Sequence, residues 1–296
     1  MKAAPHGRGP SRVPALLAAP SVAFLLVFAA YPLVYLVGLA FTSSTLARPL
    51  QRWTGFDNFR AALESQSFGG SLWRSALFAL LTSAVQLVLG VALALLLRAR
   101  ARGLGGLGAL LLLPLITPPV MVGVAWKLLL APVGGALNGA LHLAGLSGVN
   151  PLGSSTGAFT TLVLIDSWQW TPFVAILVYA ALLGVPEELR EAATVDGASR
   201  WRTVRSVVLP FIEPTLLSVL VLKLVIGFKV FDIVYVVTSG GPGFATTTST
   251  FDIQRTALQN FDVGTAAAET ILFSLLIGVV TTLVTLRGRR AEEAAV

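Results

Sequence analysis

Six stretches of this 296-residue chain are long and strongly apolar, and they dictate what it can fold into. They cover about residues 13–41, 72–97, 107–130, 157–184, 207–238 and 264–286. A helix needs about 20 residues to cross the hydrocarbon of a bilayer, and every stretch reaches that length. Inside lipid the backbone must satisfy its own hydrogen bonds, so runs of this kind read as helices. Hydrophobic residues make up 55% of the chain and charged residues only 12%, against about 25% charged in a soluble domain. The expectation is an all-α membrane protein whose single bundle of six transmembrane helices takes up the whole length. The run from Val13 to Phe41 exceeds the apolar core of a signal peptide, so it is expected to stay as a transmembrane helix, bent near Pro20 and Pro32. Pro114, Pro118 and Pro119 should distort the third span.

Charge gives the expected orientation. Thirteen Lys and Arg fall in the 1–12 tail, the 98–106 loop, the central 186–206 loop and the 287–296 tail; five fall on the opposite side, at 48, 52, 60, 74 and 255. The positive-inside rule then places both termini and the central loop in the cytoplasm of a bacterial-type plasma membrane. The net charge of +7 therefore belongs to the lipid surface. A nucleic-acid partner would need a contiguous basic patch on a folded domain, and none is visible. There is no cysteine, which excludes disulfides and thiolate metal sites, and the two histidines, His6 and His142, are far apart. No Gly-x-x-x-x-Gly-Lys-Ser/Thr loop, His-Glu-x-x-His or Gly-x-Ser-x-Gly occurs. The chain is thus not expected to be an enzyme, to hydrolyse ATP alone or to carry a cofactor.

One segment stands apart from the apolar runs: Pro186 to Pro210, PEELREAATVDGASRWRTVRSVVLP, dense in charges of both signs. Pro186 suits a helix start. Glu187, Glu188 and Glu191 favour the positive end of the helix dipole. Gly197 can close that helix in a left-handed cap. Ser199 to Arg205, with Arg200, Arg202 and Arg205, reads as a second, basic helical piece. On residue chemistry alone, any interfacial helix between two spans could carry this pattern.

The spacing resembles the cytoplasmic coupling loop of ABC-importer permeases. Glu191, Ala192 and Ala193, then Gly197, Val207, Leu209 and Pro210 stand at the positions of that family's Glu-Ala-Ala, Gly, aliphatic and Leu-Pro signature, with Val where Ile is usual. Asp196-Gly197-Ala198 is similar to the form found in sugar importers of the maltose and glycerol-phosphate type. Thr238 to Pro242 resembles the Thr-x-Gly-Gly-Pro that follows the fifth span in such permeases, so the likeness extends over nearly the whole chain. The resemblance implies a type I ABC importer permease bundle. It implies that Glu187, Glu188, Glu191, Ala192, Ala193, Asp196, Gly197, Ala198, Arg200, Leu209 and Pro210 form the element that couples to an ATPase. It also implies a second homologous permease as heterodimer partner, two ATP-binding subunits that use ATP and Mg, an extracytoplasmic solute-binding protein, and a sugar, oligosaccharide or polyol as substrate.

Two polar stripes inside the spans are candidate pathway residues. Asp166, Gln169, Trp170 and Phe173 repeat at helical spacing in the fourth span; Phe228, Lys229, Asp232 and Tyr235 lie in the fifth. Ionisable groups in a membrane face the protein interior or water. Rings with a few hydrogen-bonding groups suit a sugar. Lys229 and Asp232, three apart, could instead pair structurally on one helical face, with the rings as ordinary packing. At about 1.5 Å per residue, Asp166–Trp170 should lie roughly 13–20 Å, Phe228 roughly 15 Å and Asp232 roughly 9 Å below the outer face. Of the outer segments, 42–71 carries Trp53, Phe56 and Phe59 as a structured elbow, either an interfacial helix or a docking surface. Two other classes remain open from residues alone: a secondary transporter, and a membrane scaffold without a substrate pathway. The first needs no ATPase-docking loop, and the second needs no polar stripes facing a pathway.

Overall fold

In a computed structural model the described residues are 13–99 and 105–295, with side chains described over 18–99 and 111–288. The 1–12 tail, Arg100 and Arg102 lie outside them, as do the side chains of Arg289 and Arg290. The described chain is mainly helical: α1 Val13–Leu25, α2 Tyr31–Ala40, α3 Asp57–Glu64, α4 Gln66–Ala99, α5 Gly105–Ile116, α6 Pro119–Leu129 and α7 Ala136–Leu143, then α8 Ser155–Leu183, α9 Glu187–Val195, α10 Arg200–Thr203, α11 Leu209–Phe228, α12 Ser249–Leu258 and α13 Val263–Ala295. Wider π-helical turns at Leu26–Ala30, Val204–Val208 and Val234–Thr238 join or extend them.

Five continuous helical stretches are long and apolar enough to cross a membrane: Ala18–Ala40, Gln66–Ala99, Ser155–Leu183, Arg200–Phe228 and Val263–Gly288. The expected third span is not one helix. It divides at Thr117–Pro118 into α5 and α6, because Pro118 adopts φ −57° and ψ 138° and cannot continue the helix. The expected fifth span also differs: it begins earlier, at Arg200, and stops at Phe228 rather than 238. The expected cytoplasmic tail from 287 continues the helix of α13 to Ala295.

The chain forms two compact units. Of the described residues, the first comprises those from 13 to 62 with 256–271. After α2 a two-residue hairpin, β1 Thr42–Ser43 and β2 Arg52–Trp53, pairs antiparallel with Thr42 opposite Trp53. The elbow aromatics gather there, Phe41 stacking on Trp53 at 5.3 Å and meeting Phe56 edge-on at 5.2 Å. Asn58 donates to the carbonyls of Ala40 and Thr42, both at 2.9 Å. The first of these pairs a carbonyl that α2 leaves free as it ends, and the second ties the start of β1 to α3.

The second unit comprises the described residues of 63–255 with 272–295. Its frame is α4 against α8 and α11. Small residues let these helices approach closely. A Cβ added to Gly90 would lie 2.5 Å from Val174, and one on Gly227 would lie 2.9 Å from the Ala79 backbone. Ala94, Val174, Val178, Leu182, Val208, Ile212 and Val219 fill one apolar core; Phe78, Val122, Leu162, Ile165, Ile233, Val234 and Phe251 fill another.

Candidate functional site

At one end of this unit α9 and α10 stand clear of the frame. Glu187, Glu188 and Glu191 occupy α9, which starts at Pro186 and stops at Asp196. Gly197 takes φ +73° with open space around its Cα, and Ala198 N–H returns to Ala193 O at 2.9 Å. That left-handed residue reverses the chain without a steric penalty, as the sequence leads one to expect. Ser199 then caps α10, its Oγ accepting from Arg202 N at 3.3 Å. Glu187, Glu188, Glu191, Ala192, Asp196, Gly197, Arg200 and Pro210 are exposed, and Ala193, Ala198 and Leu209 partly so.

Sequence reasoning passed over the apolar part of this surface. Leu189, Val195 and Trp201 are 42, 87 and 68% exposed beside the charges. Exposed apolar groups rimmed by polar ones mark interaction surfaces. It also passed over Arg98, at the end of α4. The Arg98 guanidinium donates to Leu182 O in the last turn of α8 and stands 3.9 Å from Glu187 at the start of α9; Glu187 itself pairs with Arg190 at 2.7 Å. A cation at a helix C-terminus is favourably placed.

Within the frame, the fourth-span stripe turns largely inward. Asp166 is buried, and its Oδ2 accepts from Gln86 Nε2 of α4 at 2.8 Å. Lys223 of α11 is also buried. Its Nζ sits 4.4 Å from the Trp170 ring centroid. Gln169, buried, donates to Thr117 O at 3.1 Å, the carbonyl released where α5 and α6 part. Trp170 and Phe173 are partly exposed and meet edge-on at 5.9 Å.

The fifth-span stripe is broken. Phe228 is fully buried and packs against Phe273 at 6.1 Å. Lys229 ends α11, residues 230 and 231 are not helical, and a new turn starts at Asp232. Lys229 and Asp232 therefore do not share one helical face. The break is held from outside the segment, since Val230 O accepts from the hydroxyls of Thr248 and Thr250. Lys229 and Tyr235 are exposed and Asp232 partly so. Tyr235 stacks on Phe231 at 5.4 Å, with Phe251 at 6.2 Å. Trp170 lies beside Lys223 of α11, and Tyr235 lies beside Phe251 of α12. Gln86 carried no local signal, being 80 residues from Asp166 in sequence, and Lys223 shows in the sequence only as a charge within a span, without its partner. Among the described residues no group of three His, Asp or Glu converges as a metal site.

Residues 87–293 match the family described as "Binding-protein-dependent transport system inner membrane component". The trehalose/maltose transport system permease protein MalF of Thermococcus litoralis is 34% identical over 232 residues, 78% of this chain and 79% of that one. The sn-glycerol-3-phosphate transport system permease protein UgpA of Agrobacterium fabrum is 28% identical over 270 residues, 90% of each chain. Among solved structures, a bacterial ABC transporter involved in the import of the acidic polysaccharide alginate superposes with TM-score 0.78 at 25% identity, covering 94% of this chain and 95% of that one. The bacterial alginate ABC transporter in complex with an alginate pentasaccharide-bound periplasmic protein gives 0.82 at 24% identity, covering 94% of each chain. With the model of that family matching most of its length, this chain belongs to the inner membrane components of binding-protein-dependent transport systems, and it is a transport subunit with the fold of a type I ABC importer permease.

Proposed function

We propose that the chain is the permease subunit through which a sugar, oligosaccharide or polyol enters the cell, paired with a second homologous permease and driven by two separate ATP-binding subunits. ATP and Mg are used in those partners. The exposed α9–α10 turn carries this reading. Its apolar side chains, carboxylates and left-handed Gly197 form a compact knob suited to a groove on another protein. ATP binding would draw the ATPases together and move this knob. The movement would turn the pathway outward, toward an extracytoplasmic binding protein that delivers substrate. After hydrolysis the pathway would open to the cytoplasm. Trp170, Phe173, Asp232 and Tyr235, partly or fully exposed, are the residues best placed to meet the substrate. A secondary transporter would have no use for the knob.

Both termini and the knob are assigned to the cytoplasm, on the charge bias of thirteen to five. In proteoliposomes holding both permeases and the ATPase, with the cognate binding protein outside and ATP inside, labelled trehalose or maltose should accumulate only with hydrolysable ATP. Uptake driven by an ion gradient without ATP would overturn the proposal.

A further inference from the structure

We infer that Lys223 is a positioning residue for the Asp166–Phe173 segment of α8, acting through Asp166 and Trp170. The inference rests on the reading that this segment borders the pathway. Lys223 is 1% exposed, and its Nζ has no hydrogen-bond partner among the described residues. What it has instead is a ring, the face of Trp170 at 4.4 Å. Asp166 and Trp170 are four residues apart on α8, so their side chains stand on one face a turn apart. The buried Asp166 carboxylate is thus an acidic group on the face of α8 that Lys223 meets. Gln86 of α4 grips the same turn twice, donating to Asp166 Oδ2 at 2.8 Å and to Asp166 O at 3.2 Å.

The arrangement does more than place opposite charges on neighbouring helices. A buried ion pair can usually be replaced by apolar or neutral groups without loss of stability. A desolvated cation over an indole adds a directional attraction that no neutral side chain supplies. It sets where the Trp170 ring lies. Trp170 meets Phe173 edge-on, so the position of one ring affects the other. Gln169, in the same turn, holds the Thr117 carbonyl at the α5–α6 break. Lys223 therefore bears on a turn that also carries the contact to the broken helix.

The test uses the whole complex with both permeases, the ATPase and the binding protein. The chain has no cysteine, so Phe173→Cys provides a single labelling position in it. Lys223→Met alone strands the Asp166 carboxylate in the membrane and should lower the yield of assembled complex severalfold. Adding Asp166→Asn removes both charges and keeps an oxygen for Gln86; this double variant should assemble to within about twofold of wild type. In that assembled double variant the rate at which a water-soluble maleimide labels Phe173→Cys should change by about threefold or more. Without the cysteine, its uptake of labelled trehalose or maltose per complex should fall by about tenfold while ATP hydrolysis is retained. Wild-type labelling and uptake in the double variant would reduce the pair to a fold-building contact and overturn the inference. So would failure of the double variant to assemble. Labelling needs no transported sugar, so a wild-type complex that imports neither probe would count against the sugar assignment while the labelling result still decides this one.

Discussion

Gln169 donates its side-chain amide to the Thr117 carbonyl at 3.1 Å, across 52 residues of sequence. The contact pairs a carbonyl that the Pro118 break leaves without its helical N–H. A backbone oxygen stranded in the membrane interior is costly, and a neighbouring helix supplies the missing donor. An amide in an apolar run, which in isolation suggests a sugar ligand, is here committed to the backbone of the broken span.

Gln169→Leu should therefore act on stability first. Leaving the Thr117 carbonyl unpaired should cost about 1–3 kcal/mol. The melting temperature of the purified complex in detergent should drop, whereas Gln169→Asn, with its shorter reach, should fall between Leu and wild type. An unchanged melting temperature in Gln169→Leu would show that the contact does not contribute.

The turn at Gly197 gives a sharper separation between strain and contact. No side chain or backbone atom lies within 4 Å of an added Cβ there, so substitution acts through φ +73° alone. Gly197→Asn should be tolerated, because Asn enters the left-handed region readily, while Gly197→Val should be strained by about 1–2 kcal/mol. Co-purification of the ATPase with each variant measures the difference; equal recovery for Val and Asn would contradict a required left-handed turn.

The knob's geometry was legible in the sequence because everything that shapes it is local. Pro186 opens α9, Gly197 reverses the chain and Ser199 caps α10. The breaks in the spans were legible only where proline announces them. At Thr117–Pro118 the cause is written in the chain. At 229–231 no proline marks the break, and the helix stops where threonines nearly twenty residues later take the Val230 carbonyl. The polar stripe of α8 was visible as a periodicity, but its partners Gln86 and Lys223 come from two other helices. Which way Asp166 faces is thus a tertiary property. The burial of Phe228 is a tertiary property too, since its contact with Phe273 joins distant segments.

Arg98 links the frame to the knob. It reaches Leu182 O at the end of α8 and stands 3.9 Å from Glu187 at the start of α9. Exposed ion pairs contribute about 0–1 kcal/mol, so Glu187→Gln alone should change little. Arg98→Ala loses the carbonyl contact as well, and should lower ATP hydrolysis stimulated by loaded binding protein severalfold while leaving basal hydrolysis near wild type. Equal loss of both activities would indicate a folding defect instead.

Close packing of α4 against α11 gives a stability prediction free of any assumption about transport. A Cβ on Gly227 would sit 2.9 Å from the Ala79 backbone, which cannot rotate away. Gly227→Ala should destabilise by about 1–3 kcal/mol, visible as reduced membrane levels of the chain. Wild-type levels and melting would show that the two helices separate without cost.

The central claim is that the α9–α10 knob is where a separate ATPase docks. The chain's lack of cysteine makes the direct measurement clean. Ala192→Cys, on the exposed face of α9, should cross-link to the co-expressed ATPase subunit through a short bifunctional maleimide. It should also be labelled only from the cytoplasmic side, whereas Ser147→Cys should be labelled only from outside and give no ATPase adduct. Cross-linking at Ser147→Cys but not at Ala192→Cys, or labelling of Ala192→Cys from outside, would contradict the account.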